Sequence, residues 1–114
     1  MSDQLAFDLT ELVHPEYQPT MTLAERFALF HWHNPHVADA LERLADQWLN
    51  RHRKVGIGAL VERLRWESGI TTSGEAYRIN NSYRSRYARL LLDRRPEWVG
   101  RIETRALAEE RSSS

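Results

Sequence analysis

Between residues 80 and 95 the chain reads NNSYRSRYARLLLDRR, a stretch rich in side chains that donate hydrogen bonds to phosphates and base edges. Arginine offers a forked set of donors, asparagine an amide and serine a hydroxyl. Laid on a helix at about 100° per residue, Tyr83, Tyr87, Leu90 and Leu91 form an inward stripe. Asn81, Ser82, Ser85 and Arg89 fall on the opposite face, with Arg86 beside them and Arg84 at the other border. Neither glutamate nor lysine, the usual filler of a merely solvated face, stands there. Between residues 76 and 95 six arginines face one aspartate. This pattern suits binding to a polyanion and makes Asn81, Ser82, Arg84, Ser85, Arg86 and Arg89 the expected DNA-binding residues. The competing reading is a plain surface helix whose Arg94 and Arg95 answer the helix dipole.

Other reactive residue types do not assemble into a catalytic set. His31, His33 and His36 in HWHNPH are separated by spacing and by Asn34-Pro35, and no carboxylate or cysteine pattern completes a tetrahedral metal site. Tyr77, Tyr83 and Tyr87 near arginines lack the partners a tyrosine nucleophile needs, and two of them sit on the core stripe. VGIGAL has two glycines but not the spacing or lysine of a phosphate loop, so Gly56 and Gly58 are read as shaping a helix entry. Trp32, Trp48, Trp66 and Trp98 read as core or partly buried aromatics. The expectation is a non-enzymatic protein without metal or cofactor.

The helices that must position the arginine face are legible from periodicity and caps. The chain has 114 residues, 41% of them hydrophobic and 28% charged, as in an ordinary single globular domain. Thr22 with Glu25 makes a capping box, and Leu23, Phe27 and Phe30 follow at helical spacing. Asn34-Pro35 ends that helix and starts the next, with asparagine as N-cap. In the second helix Val37, Leu41, Leu44 and Trp48 share a stripe. The third carries Ile57, Leu60, Val61 and Leu64 inward, with Gly69 as its C-cap. Asn80 or Asn81 caps the fourth, which breaks at Pro96. Helices are thus predicted over residues 22–33, 35–50, 57–67 and 81–94, with Phe27, Leu41, Leu44, Trp48, Leu60, Leu64, Tyr87 and Leu90 in the core. A short strand at 76–79 and either a helix or an edge strand after Pro96 complete the prediction. The fold class is mainly α, a compact four- to five-helix domain over residues 22–108. Within it, residues 57–94 resemble a helix-turn-helix with a long turn, or its winged variant. Residues 1–21 are expected to be a flexible tail and 109–114 a disordered end.

The zero net charge hides an asymmetry. Residues 1–50 carry two arginines against eight acids, and residues 51–114 carry fourteen basic residues against eight acids. One half facing a polyanion would produce this, as would two halves that pair with each other or a dipolar monomer. No cysteine is present, no apolar run approaches the roughly 20 residues of a spanning helix, and the N-terminus is acidic rather than signal-like. A cytoplasmic location without membrane contact is expected.

The segment DQLAFDLTEL at residues 3–12 alternates acids with apolar residues and is followed by Pro15 and Pro19. Gln4-Leu5-Ala6-Phe7-Asp8-Leu9 resembles the short motif by which bacterial replication and repair proteins bind the sliding clamp, although leucine is preferred where Phe7 stands. That resemblance implies a protein-binding role for Gln4, Leu5, Phe7 and Leu9; docking of the segment on its own domain is the alternative. Residues 22–107 resemble small helical proteins encoded by phages and prophages, a likeness that implies a setting and no mechanism. The expected function is therefore binding of double-stranded DNA by a phage or mobile-element protein, tethered to a replication clamp by its tail. The alternative is a protein-interaction module, an inhibitor or adaptor of a host protein, whose arginine helix meets an acidic surface.

Overall fold

The computed structural model describes residues 12–67 and 79–104. Thr22 opens the first helix: its hydroxyl accepts from the Glu25 N–H at 3.1 Å, while the Glu25 carboxylate accepts from the Thr22 N–H at 2.8 Å. Two of the four donors orphaned at a helix start are thus satisfied reciprocally. Helix α1 (Leu23–His33) ends at Asn34, and α2 (Pro35–Leu49) starts at the proline whose missing N–H costs nothing there. A turn leads into strand β1 (Val55–Gly56) and directly into α3 (Ile57–Glu67). Asn80 accepts from the Ser82 N–H and starts a 3₁₀ turn, Asn81–Tyr83, that runs on into α4 (Arg84–Arg94). A second 3₁₀ turn (Pro96–Trp98) and Gly100, at φ +79°, bring the chain to β2 (Ile102–Glu103). Strand β2 pairs in parallel with β1, Val55 opposite Ile102. The region after Pro96 is therefore both helical turn and strand, the glycine supplying the left-handed residue between them.

The protein is mainly helical, and α2 is its central element, packed against α1, α3 and α4. Its buried residues mix small and large side chains: Val37, Ala38, Ala40, Leu41, Leu44, Ala45 and Leu49. Ile57, Leu60, Val61 and Leu64 of α3 and Tyr87, Ala88 and Leu91 of α4 close the core. Phe27, Phe30, Tyr83 and Tyr87 form an aromatic cluster between α1 and α4, with ring centroids 4.8 to 5.5 Å apart and the Phe27–Tyr87 pair edge-on. Phe27 and Leu90, expected in the core, pack against it half-buried.

Four sequence expectations are overturned by this arrangement. Trp48 lies on the α2 stripe yet is 41% exposed: in the last turn of α2 it meets Lys54 and His52 of the turn into β1. Trp32 is 79% exposed, at the open C-terminal end of α1. Asn34 makes no N-cap bond. Its side chain is fully buried and latches a more distant segment. Its Oδ1 accepts from the Val13 N–H at 2.8 Å, and its Nδ2 donates to the Val13 carbonyl at 2.7 Å and the Phe30 carbonyl at 3.0 Å. The tail expected over residues 1–21 is consequently part of the body from residue 12 onward. Leu12 is buried in the core, and the Tyr17 hydroxyl accepts from the Tyr83 hydroxyl at 2.9 Å. The Arg26 guanidinium lies 5.6 Å from the Tyr17 ring centroid. Of the strand expected at 76–79, residues 76–78 lie outside the described residues, as do the cap at Gly69 and the end at 109–114; Ile79 is described, and it is buried but not in a strand.

Candidate nucleic-acid interface

Helix α4 faces inward through Tyr83 of its leading turn, Tyr87 and Leu91, all buried. Burial pushes the hydroxyls of Tyr83 and Tyr87 well above the ordinary tyrosine range, the Tyr17 hydrogen bond adding to the effect at Tyr83. Both stay neutral and belong to the packing. The inward stripe read from sequence is the observed one, and it fixes which side of α4 meets solvent.

The six expected DNA-binding residues divide on that geometry. Asn81, Ser82 and Arg89 are exposed, and Ser85 and Arg86 are half-buried. Arg84 turns the other way: its guanidinium pairs with Glu62 of α3 at 3.1 Å and is 24% exposed. It also lies over Gly58, where an added Cβ would stand 2.9 Å from its Nη1, so the glycine makes room for the approach. Arg84 therefore ties α4 to α3 and is withdrawn from the outer face. Ser82 is compromised differently, since its hydroxyl donates to Asn80 Oδ1 at 2.7 Å and its proton is committed. Asn81, Ser85, Arg86 and Arg89 have no side-chain hydrogen bond or ion pair among the described residues. Gln4, Leu5, Phe7 and Leu9 lie outside the described residues.

The charge asymmetry resolves partly into internal pairing. Arg94 donates to Asp39 and Glu42 of α2, each at 3.0 Å, and Arg95 donates to Glu42 at 2.8 Å with Asp46 at 3.5 Å. Arg95 also covers the ring of buried Trp98, 4.8 Å from its centroid. These two arginines serve a tertiary network between α2 and α4 rather than the helix dipole alone. Arg101 donates to the carbonyls of Leu49, His52 and Arg53 at 2.8 to 3.0 Å, closing the C-terminal end of α2. By contrast, Arg86 and Arg89 have no ion-pair or hydrogen-bond partner among the described residues.

His31 is half-buried, and desolvation, helped by Arg94 and opposed by Asp39, holds its imidazole below the ordinary value. Near neutral pH it is uncharged. No group of three or more histidine or carboxylate residues is placed to hold a metal ion among the described residues. No described helix is long and apolar enough to cross a membrane.

Set against known proteins, the chain matches no family model, no curated protein and no solved structure. Its functional reading rests on the fold and the side chains themselves.

Proposed function

We propose that this is a small non-enzymatic protein of phage or mobile-element type that binds double-stranded DNA through the outer face of α4. One observation carries the proposal. Of the five arginines from 84 to 95, three are paired with carboxylates of the fold, whereas exposed Arg89 and half-buried Arg86 have no such partner among the described residues. Arginines that merely balance acids would be paired like the others. In the order α1, α2, β1, α3, α4, β2 the helix α4 follows α3 as the recognition helix follows its partner in a helix-turn-helix, and that is the role the reading gives it. The β1–β2 pair is parallel, so a hairpin wing is not formed by the described residues.

The test is a gel shift on duplex DNA over a salt series. Arg86→Ala with Arg89→Ala should leave the melting temperature unchanged and weaken binding by about 1–3 kcal/mol for each of the two that reads a base. If both arginines touch phosphates instead, the slope of log K against log salt should flatten by roughly 0.9 for each. A double variant that binds like the parent sinks the reading, as does a parent that binds no duplex at low salt.

Tethering to a sliding clamp is proposed on the spelling of residues 4–9 alone. Leu12 is anchored in the core, which leaves only residues 10 and 11 between the motif and the body. A synthetic peptide of residues 1–11 should bind a bacterial clamp at micromolar strength, about 8 kcal/mol, and lose it on Gln4→Ala with Phe7→Ala. A peptide showing no binding removes the tether without touching the α4 proposal.

A further inference from the structure

The C-terminal end of α2 builds a second surface, distinct from the α4 face. A groove of about 1000 Å³ runs between α2 and α3, with Leu44 and Leu60 among its floor residues and Trp48, Arg51, His52 and Arg63 among its walls. It is a groove and not an enclosed cavity, large enough for more than one nucleotide unit.

Its aromatic wall is held in place. The Trp48 indole N–H donates to the Lys54 carbonyl at 3.1 Å, and the Trp48 ring stacks on His52 with centroids 4.3 Å apart and planes 26° from parallel. A lone exposed tryptophan is ordinary. One fixed in orientation by a hydrogen bond and a stacked neighbour is a platform, with the rotamer freedom of the ring already given up. The turn that carries it, Arg51-His52-Arg53-Lys54, is strongly basic, and no acid occurs from Gln47 to Val61; the one acid lining the groove, Glu62, is paired with Arg84 at 3.1 Å. All four side chains of the turn are exposed. Lys54 has Glu103 at 3.5 Å, both more than half exposed, a weak pair; Arg51 and Arg53 have no acidic partner among the described residues. The carbonyls of the same turn are gathered by Arg101, so these cations stand on a fixed loop.

We infer that this groove binds single-stranded nucleic acid, with a base stacked at the Trp48–His52 platform and the backbone running along Arg51 and Arg53. Stacking on a flat aromatic face requires a base whose own face is free, which a duplex does not offer. Gln47 and Asn50 also line the groove, and an amide carries both a donor and an acceptor for a base edge. The basic turn extends past the groove and suits a strand that continues beyond one nucleotide. Single-strand binding at this groove is independent of duplex binding by α4.

Fluorescence anisotropy with labelled oligo(dT) and oligo(rU) 12-mers tests it. Binding should be salt-dependent. Trp48→Ala should weaken it about tenfold or more, in line with the measured worth of stacking, while Trp48→Phe retains most of it. Arg51→Glu with Arg53→Glu, which touches nothing in the core, should weaken binding at least as much and leave the melting temperature unchanged. Trp32→Ala, at the other exposed indole, and the Arg86→Ala, Arg89→Ala pair should leave single-strand affinity at the parental level, so that failure here is distinguishable from failure at α4. No binding of either 12-mer at 25 mM salt, an affinity indifferent to both the Trp48 and the Arg51/Arg53 changes, or equal displacement by duplex, by an acidic peptide or by a mononucleotide overturns the inference.

Discussion

Truncating Leu60 to alanine is expected to remove about 2–5 kcal/mol of stability and to lower the melting temperature by roughly ten degrees or more. Leu60 is 2% exposed, on the face of α3 that meets α2. The loss combines the transfer free energy of the deleted carbons with the cavity left between two helices that cannot close up. Relief is partial because a close-packed interior relaxes only in part around a deleted side chain. Chemical denaturation of the full chain measures it. A change below about half a kilocalorie would mean that α3 does not pack through this face.

Asn34→Ala should cost nearly as much by a different route. The amide is fully buried and works as a substitute backbone, donating to and accepting from Val13 as a neighbouring strand would. Without it, either the part-buried Val13 N–H and carbonyl lose their partner, at up to about 1–3 kcal/mol each, or the segment peels away; the Phe30 carbonyl keeps the Asn34 backbone N–H at 2.9 Å. Peeling relieves the polar groups but exposes Leu12, whose burial contributes about 1.5–3 kcal/mol. The less costly alternative sets the result, so a loss of about 2–4 kcal/mol is expected. Hydrogen exchange at the Val13 amide is the direct measurement. Protection that survives the substitution would show that the segment is held by something other than this latch.

What the sequence revealed and what it hid follow one physical division. Helix positions came from signals confined to a few residues: the Thr22–Glu25 box, Pro35 at a helix start, Asn80 before the arginine helix, and apolar residues three and four apart. All four predicted helices occur within a residue or so at each end, the last one entered through a 3₁₀ turn. Most of the errors concern partners far along the chain. Asn34 has the letters of an N-cap, but its bonds go to a residue 21 positions away. Arg94 and Arg95 read as dipole ligands because nothing local shows that they meet α2, more than 45 residues earlier. Arg84 looked available for the same reason, Glu62 being 22 residues off. Trp48 shows the converse. Its periodicity is sound, but a stripe says which side of a helix is apolar, not how far along the axis a neighbour reaches.

The ties made by Arg101 have a kinetic consequence. They join the end of α2 to a residue 48 to 52 positions later, and the β1–β2 pair closes a loop of similar length. Contacts so distant in sequence form late, since the intervening chain must be ordered before closure is favourable. Helices α1 and α2, adjacent in the chain, can dock early. The basic turn gains its Arg101 ties only once the chain after α4 arrives. A nascent chain stopped before residue 101 would hold all four helical sequences while leaving that turn untied, so the turn at residues 51–54 is tied down at the end of folding.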